Sequence, residues 1–211
     1  MSSVSVDPDV LHALRICGFA TTSRLADYLA LSPETAEIRL QECEQAGLVR
    51  YRDGKVPGWM LTPDGRDRHE RQLVATQSDT AATVLVAAGY QSFLAHNREL
   101  KETCTAWQLR TVAGGVQVAN DHSDRNYDRA VIDRLIEHHH RCGPMFEQLG
   151  EGLPRFRDYQ RRLDGAAQRL NNGETAAFAT PMSASYHCVW MELHQDLLIT
   201  LGRKRDEADG H

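Results

Sequence analysis

The residues with the most specific chemistry lie on one short run. In PETAEIRLQECEQ, which follows Ser32, the apolar positions Ala36, Leu40 and Cys43 recur at helical spacing and leave Glu34, Thr35, Glu37, Ile38, Arg39 and Gln41 outward. Such a face suits the edges of base pairs. Arg39 can bond a guanine bidentately, Gln41 can serve an adenine, and Thr35 can take a phosphate or a thymine methyl. Glu37 can accept from a cytosine amine, although Glu34 and Glu37 both repel phosphates. Ser23 and Arg24, at the start of the preceding helical segment, suit phosphate oxygens. Arg50, Arg52 and Lys55 suit the DNA backbone or the minor groove.

A second group of residues lies in the back half: Trp107, His122, Tyr186, His187, Trp190 and His194. Three readings fit it. In one, Trp107, Tyr186 and Trp190 line an effector pocket between helices and the histidines or Glu192 fix its polar groups. In another, His187, Met191 and His194 share a helix face and bind a metal or haem, with Cys142, Cys188 and the run His138-His139-His140 adding soft or borderline donors. In the third, the rings cap a core and the histidine run is solvated near a helix C-terminus, where the dipole favours it. None of the sharp zinc spacings is present, so no metal ligand set and no cofactor is assigned. By helical phase Glu192 falls at the edge of its apolar stripe and is expected in solvent. No nucleophile elbow, phosphate-cradling glycine loop or HExxH occurs, and Asp121, His122 and Asp124 read as a turn-rich connection. No catalytic residue is assigned.

The elements that must position these residues carry their own signals. A first helix is expected from Pro8 to Cys17, ended by Gly18. Leu25, Tyr28 and Leu29 mark a second, and Ser32 with Pro33 is an N-cap followed by the first helical position of a third, which stops at Gly47. LVRYR and VPGWMLT flank Asp53-Gly54, a two-residue hairpin signal, with Trp59 packing the hairpin onto the helices. Thr62-Pro63 opens a helix to about Ala75, and the polar stretch Thr76 to Thr80 marks a domain boundary. Beyond it, Thr80 to Arg110 reads as one long helix or a pair broken at Gly89, and Thr111 to Asn126 as a loop. Tyr127 to Arg141, broken by Gly143-Pro144, then Leu153 to Leu170 and Ser183 to Gly202 read as helices. The fold class is mainly α: a winged helix-turn-helix over residues 1–77, then an all-helical unit over 78–211.

Composition bounds the partners. The chain has 211 residues and a net charge of −5, so attraction to phosphates must come from local clustering. The five cysteines form no CxxC pair and read as reduced thiols. No apolar run reaches membrane-spanning length and MSSVSVDPD lacks a leader pattern, so a cytoplasmic location and no membrane contact are expected.

Residues 8–72 resemble the winged-helix domains of MarR-like bacterial transcriptional regulators. The resemblance rests on Ser32-Pro33-x-Thr35, Leu40, Ala46-Gly47-Leu48-Val49 and Thr62-Pro63-x-Gly65-Arg66. The back half resembles a helical region of actinobacterial regulators through CTAWQ, NDHSDRNYD and SYHCVWMELHQDLL. The resemblance implies binding of double-stranded DNA as a homodimer, with a small-molecule effector in the helical half. A protein-interaction adaptor built on the same module, or a metal- or haem-responsive regulator, are the alternatives. The helical portion is longer than such regulators need for dimerisation, which leaves the dimer geometry open.

Overall fold

The computed structural model describes residues 6–112 and 114–204; the first five residues, on which part of the leader reading falls, lie outside it. Among the described residues the fold is mainly helical, with two small antiparallel hairpins.

In the first half each helix begins at a side-chain cap that satisfies amides left open by the first turn. The Asp7 carboxylate accepts from the Asp9 amide at the start of α1 (Pro8–Cys17), and Thr21 caps α2 (Thr22–Leu29) by accepting from Arg24. Ala30 turns the chain in the left-handed region at φ 53°, and Ser32 then caps α3 (Pro33–Gln45) by accepting from Thr35. Strand β1 (Val49–Arg52) pairs with β2 (Gly58–Leu61), and Ala20 adds a bridge to Trp59. The last pair is Arg52 with Gly58, so the turn spans residues 53–57. It is longer than the two-residue Asp53-Gly54 turn expected: Pro57 has no amide to extend the ladder. Thr62 caps α4 (Pro63–Gln77) and donates its hydroxyl hydrogen to the Gly47 carbonyl, tying this helix to the end of α3. Gly65 is obligatory there, since a Cβ would lie 2.0 Å from the Leu48 carbonyl oxygen.

Only Ser78 and Asp79 separate α4 from α5 (Thr80–Gln108). That helix runs unbroken through Gly89, where a Cβ would meet Leu149 at 2.5 Å; the glycine serves close packing, and the expected weak point does not exist. The expected loop after it contains a hairpin, β3 (Leu109–Thr111) against β4 (Gln117–Ala119), turned by Gly114 and Gly115 at positive φ. The second half is therefore not all-helical. After α6 (Arg125–Arg141), Gly143-Pro144 starts a helix as well as ending one, because proline suits the first turn; α7 (Gly143–Gly152) was not expected from the sequence. Helix α8 (Phe156–Asn171), a short 3-10 turn (Thr175–Ala177) and α9 (Tyr186–Thr200) complete the bundle.

The buried apolar residues form one cluster. It includes Leu11, Leu14 and Leu40 from the first half together with Phe93, Phe146, Leu163 and Leu193 from the second. Helices α1, α2 and α4 pack directly on α8 and α9. No helix among the described residues is long and apolar enough to cross a membrane.

Candidate nucleic-acid interface and ligand cleft

Helix α3 buries Ala36, Leu40 and Cys43 and turns Glu34, Ile38 and Gln41 outward, with Thr35, Glu37 and Arg39 half-buried beside them. Ile38 is 58% exposed, a high value for a side chain of its size. The polar neighbours are not all free. Glu37 accepts from the Thr22 hydroxyl at 2.8 Å and from the Gln41 amide at 3.1 Å. Arg39 is ion-paired with Asp7 just before α1. Of the residues expected to read bases, Thr35, Ile38 and Gln41 thus present their side chains on the outward side, whereas Arg39 is engaged within the chain.

The hairpin beside α3 carries Arg50, Arg52 and Lys55, all exposed. The Arg52 guanidinium lies 5.3 Å from the centroid of the Phe19 ring, which holds the cation against the protein without neutralising it. Trp59, 4% exposed, donates its indole N–H to the Thr22 hydroxyl at 3.1 Å and so fixes the hairpin to α2. Ser23 is exposed at the start of α2.

Arg24 is the clearest departure. Its Nη2 lies 2.5 Å from Glu192 Oε1 on α9, and Arg162 Nη2 on α8 meets the other oxygen of the same carboxylate at 2.6 Å. Glu192 is 5% exposed, so the expectation of a solvated edge residue is wrong. Two guanidiniums compensate the cost of burying its charge, and the Arg162 cation also lies 4.7 Å from the Tyr28 ring centroid. Arg24 therefore serves the seam between the two halves and is not poised for a phosphate.

One turn further along α9, Asp196 is wholly buried. His12 Nε2 lies 3.0 Å from Oδ2, Arg155 reaches both oxygens at 3.0 and 3.1 Å, and the hydroxyls of Tyr159 and Thr200 donate at 3.1 and 2.9 Å. Burial alone would push this carboxyl up, but His12 and Arg155 hold it well below the usual carboxylate range. Tyr159 also shares a 2.5 Å hydrogen bond with Tyr28 of α2. His12 in turn meets His69 of α4, ring nitrogen to ring nitrogen, at 3.0 Å. A buried polar network thus links α1, α2 and α4 to α8 and α9. The signal for it was Glu192 and Asp196 spaced four apart in α9, which puts both acids on one face.

Arg24 and Glu192 also line a cleft of about 500 Å³. Its walls come from both halves: Ile16 and Cys17 of α1 on one side, Met182, His187, Cys188 and Met191 on the other. That volume suits a small organic ligand. Cys188 sits in the first turn of α9, where burial would raise its pKa but hydrogen bonds from His187 and Ser185 bring it down to about 7. Cys17, facing it from α1, is pushed far up by burial and by Glu192.

Of the six residues expected to bind an effector, only His187 lines this cleft. Trp190 and Tyr186 are core residues, 1% and 0% exposed; Trp190 stacks on Phe93 and donates its N–H to Asn97 Oδ1 at 3.0 Å, while Tyr186 bonds His139. His194 packs against Phe93 and Tyr90. Trp107 stacks flat on Phe178, and His122 lies against the same indole while bonding Asp128 at 3.1 Å. These rings do not converge on one cavity. His187 and His194, seven positions apart, also do not meet: one faces the cleft and the other the α5 aromatics. Nor is the histidine run solvated as a whole, since His138 is 1% exposed.

The chain matches no family model, no curated protein and no solved structure.

Proposed function

We propose that the chain is a sequence-specific, DNA-binding transcriptional regulator whose first 77 residues act as a winged helix-turn-helix. One observation carries this reading. Helices α2 and α3 are joined by a tight left-handed turn at Ala30, and the outward face of α3 stands next to a hairpin with three exposed cations. In this reading α3 enters the major groove with Thr35, Ile38 and Gln41 toward base edges, and Arg50, Arg52 and Lys55 take phosphates or the minor groove. A homodimer would place two such modules on half-sites about one helical turn apart. The effector site is the cleft between α1, α2 and α9 rather than the aromatic core of the bundle. A ligand there bears directly on Arg24 and Glu192, and hence on how the DNA-reading half is seated. Its action is a shift between two seatings, set by its difference in affinity for them.

The test is fluorescence anisotropy of the purified protein with DNA flanking its own gene and with random DNA, at two salt concentrations. Specific binding that outlasts random DNA at the higher salt supports the regulator. Equal, weak binding to both, lost with salt, supports a second reading favoured by the acid-rich α3. In that reading Glu34, Glu42 and Glu44 make the module a docking surface for a basic protein partner.

A further inference from the structure

Three donors that no part of the proposed function uses converge between α5 and the junction of α6 with α7. One ligand atom each from His96, His138 and Cys142 lies within 4.8 Å of the other two. We propose that His96, His138 and Cys142 form a binding site for a single zinc ion, with water completing the tetrahedron.

The distances are close to those a zinc site needs. Zinc–nitrogen bonds of about 2.0–2.1 Å and a zinc–sulfur bond of about 2.3 Å give tetrahedral edges of roughly 3.3–3.6 Å. Cys142 Sγ already lies 4.0 Å from His138 Nδ1 and 3.8 Å from its Nε2. His138 and Cys142 are four apart at the end of α6, hence on one face, and His96 approaches from α5 with its ring edge-on to His138 at 5.3 Å between centroids. Rotation of the His138 ring and contraction of these separations, by at most about 1.5 Å at the widest, bring all three onto one ion.

The surroundings fit ligation. His138 Nε2 lies 3.1 Å from the His96 carbonyl oxygen, a bond that makes Nε2 the donor and leaves Nδ1 as the ring nitrogen with a lone pair to offer. His96 Nδ1 is a buried nitrogen without a hydrogen-bond partner among the described residues, and an ion would supply one. Trp190 walls the site on its inner side. His96 is half-exposed and opens it to solvent, and Glu99, one turn along α5, is ion-paired with Arg141. Two imidazoles and a thiolate are the borderline-soft set that suits zinc; calcium and magnesium prefer oxygen. Binding replaces the Cys142 S–H bond by a zinc–sulfur bond and releases that proton to solvent.

The test uses the whole chain, reduced and freed of metal, titrated with cobalt(II) as a spectroscopic stand-in and then with zinc. The expected result is a thiolate-to-cobalt charge-transfer band that saturates at one ion per chain and is displaced by zinc. Cys142→Ser abolishes the band, and Cys188→Ser leaves it intact. His96→Ala, at a half-exposed position that spares the core, weakens zinc affinity about tenfold or more. Zinc also raises the melting temperature of the wild type, and does so less for His96→Ala. No band in the wild type, or a band that survives both Cys142→Ser and His96→Ala, overturns the proposal.

Discussion

Arg24 and Arg162, from opposite halves of the chain, hold the two oxygens of one carboxylate, that of Glu192, at 2.5 and 2.6 Å. The three side chains are 15%, 2% and 5% exposed, so little water shares the charge. Glu192→Gln leaves two guanidiniums beside a neutral amide. The expected loss is on the order of 3–5 kcal/mol, read as a lower urea midpoint at neutral pH. An unchanged midpoint would mean that water compensates both cations.

The same pairing separates the seam arginine from those proposed to contact DNA. Arg24→Ala is expected to lower stability while leaving the slope of log affinity against log salt unchanged. Arg50→Ala, Arg52→Ala and Lys55→Ala each reduce that slope by about 1 with little effect on stability. A slope change for Arg24→Ala equal to that of the hairpin variants would return Arg24 to the phosphate contacts.

The seam should also respond to pH. Burial, then the charges of His12 and Arg15, push His69 down to about 4, against the favourable charge of Asp196 and with Arg155 adding to the repulsion. The folded value lies below the unfolded one of about 6.5, so the unfolded chain binds the extra proton. The contribution is complete above about pH 6.5 and falls away as pH drops toward 4, by on the order of 1–3 kcal/mol. Urea midpoints at about pH 7 and pH 5 test this above the range where carboxylates titrate. His69→Gln should reduce the difference without abolishing it, because burial also pushes His138 down to about 4, and a wild-type midpoint that does not fall between the two rules the effect out.

Thiol reactivity should be uneven. Cys188, near 7, is expected to alkylate first at neutral pH. Cys43 and Cys104 are pushed up to about 11 and Cys142 to about 12, by burial in each case, and these three should lag. Peptide mapping after brief treatment with iodoacetamide locates the modified residue. Modification of Cys104 ahead of Cys188 would contradict the environment assigned to the first turn of α9.

Trp190 belongs to the core. Trp190→Ala is expected to cost about 3–5 kcal/mol, and DNA affinity should be unaltered under conditions where the variant remains folded. A variant of wild-type stability that has lost its response to an effector would instead make Trp190 a pocket residue.

Local signals carried the first half of the fold well. Ser32 and Thr62, the caps the sequence shows, each precede a helix by one position, and the periods of Leu25–Tyr28 and Ala36–Leu40–Cys43 name the buried faces; Asp7 and Thr21 act as caps that the sequence reading did not name. The site was less legible because it depends on distant pairs. Arg39 looks free in a list of outward residues until Asp7, 32 positions earlier, is folded against it. Glu192 sits at the edge of the α9 stripe when the helix is drawn alone, and only the arrival of α2 and α8 buries it. The aromatic residues misled for a related reason. A stripe of Tyr186 and Trp190 looks the same whether it lines a cavity or meets another helix, and here Phe93 fills the space. Val118 and its neighbours in the second hairpin make runs too short for a period-two pattern to register.

The placement of both buried acids on α9 bears on the order in which the molecule can be made. During synthesis α1 and α2 emerge long before Glu192 and Asp196 exist, so His12 and Arg24 have no counter-ions and remain in water. The first half can form its helices on the ribosome, but its inner polar groups stay hydrated until α9 follows. Final desolvation of that seam is therefore a late event that joins the early and late parts of the chain.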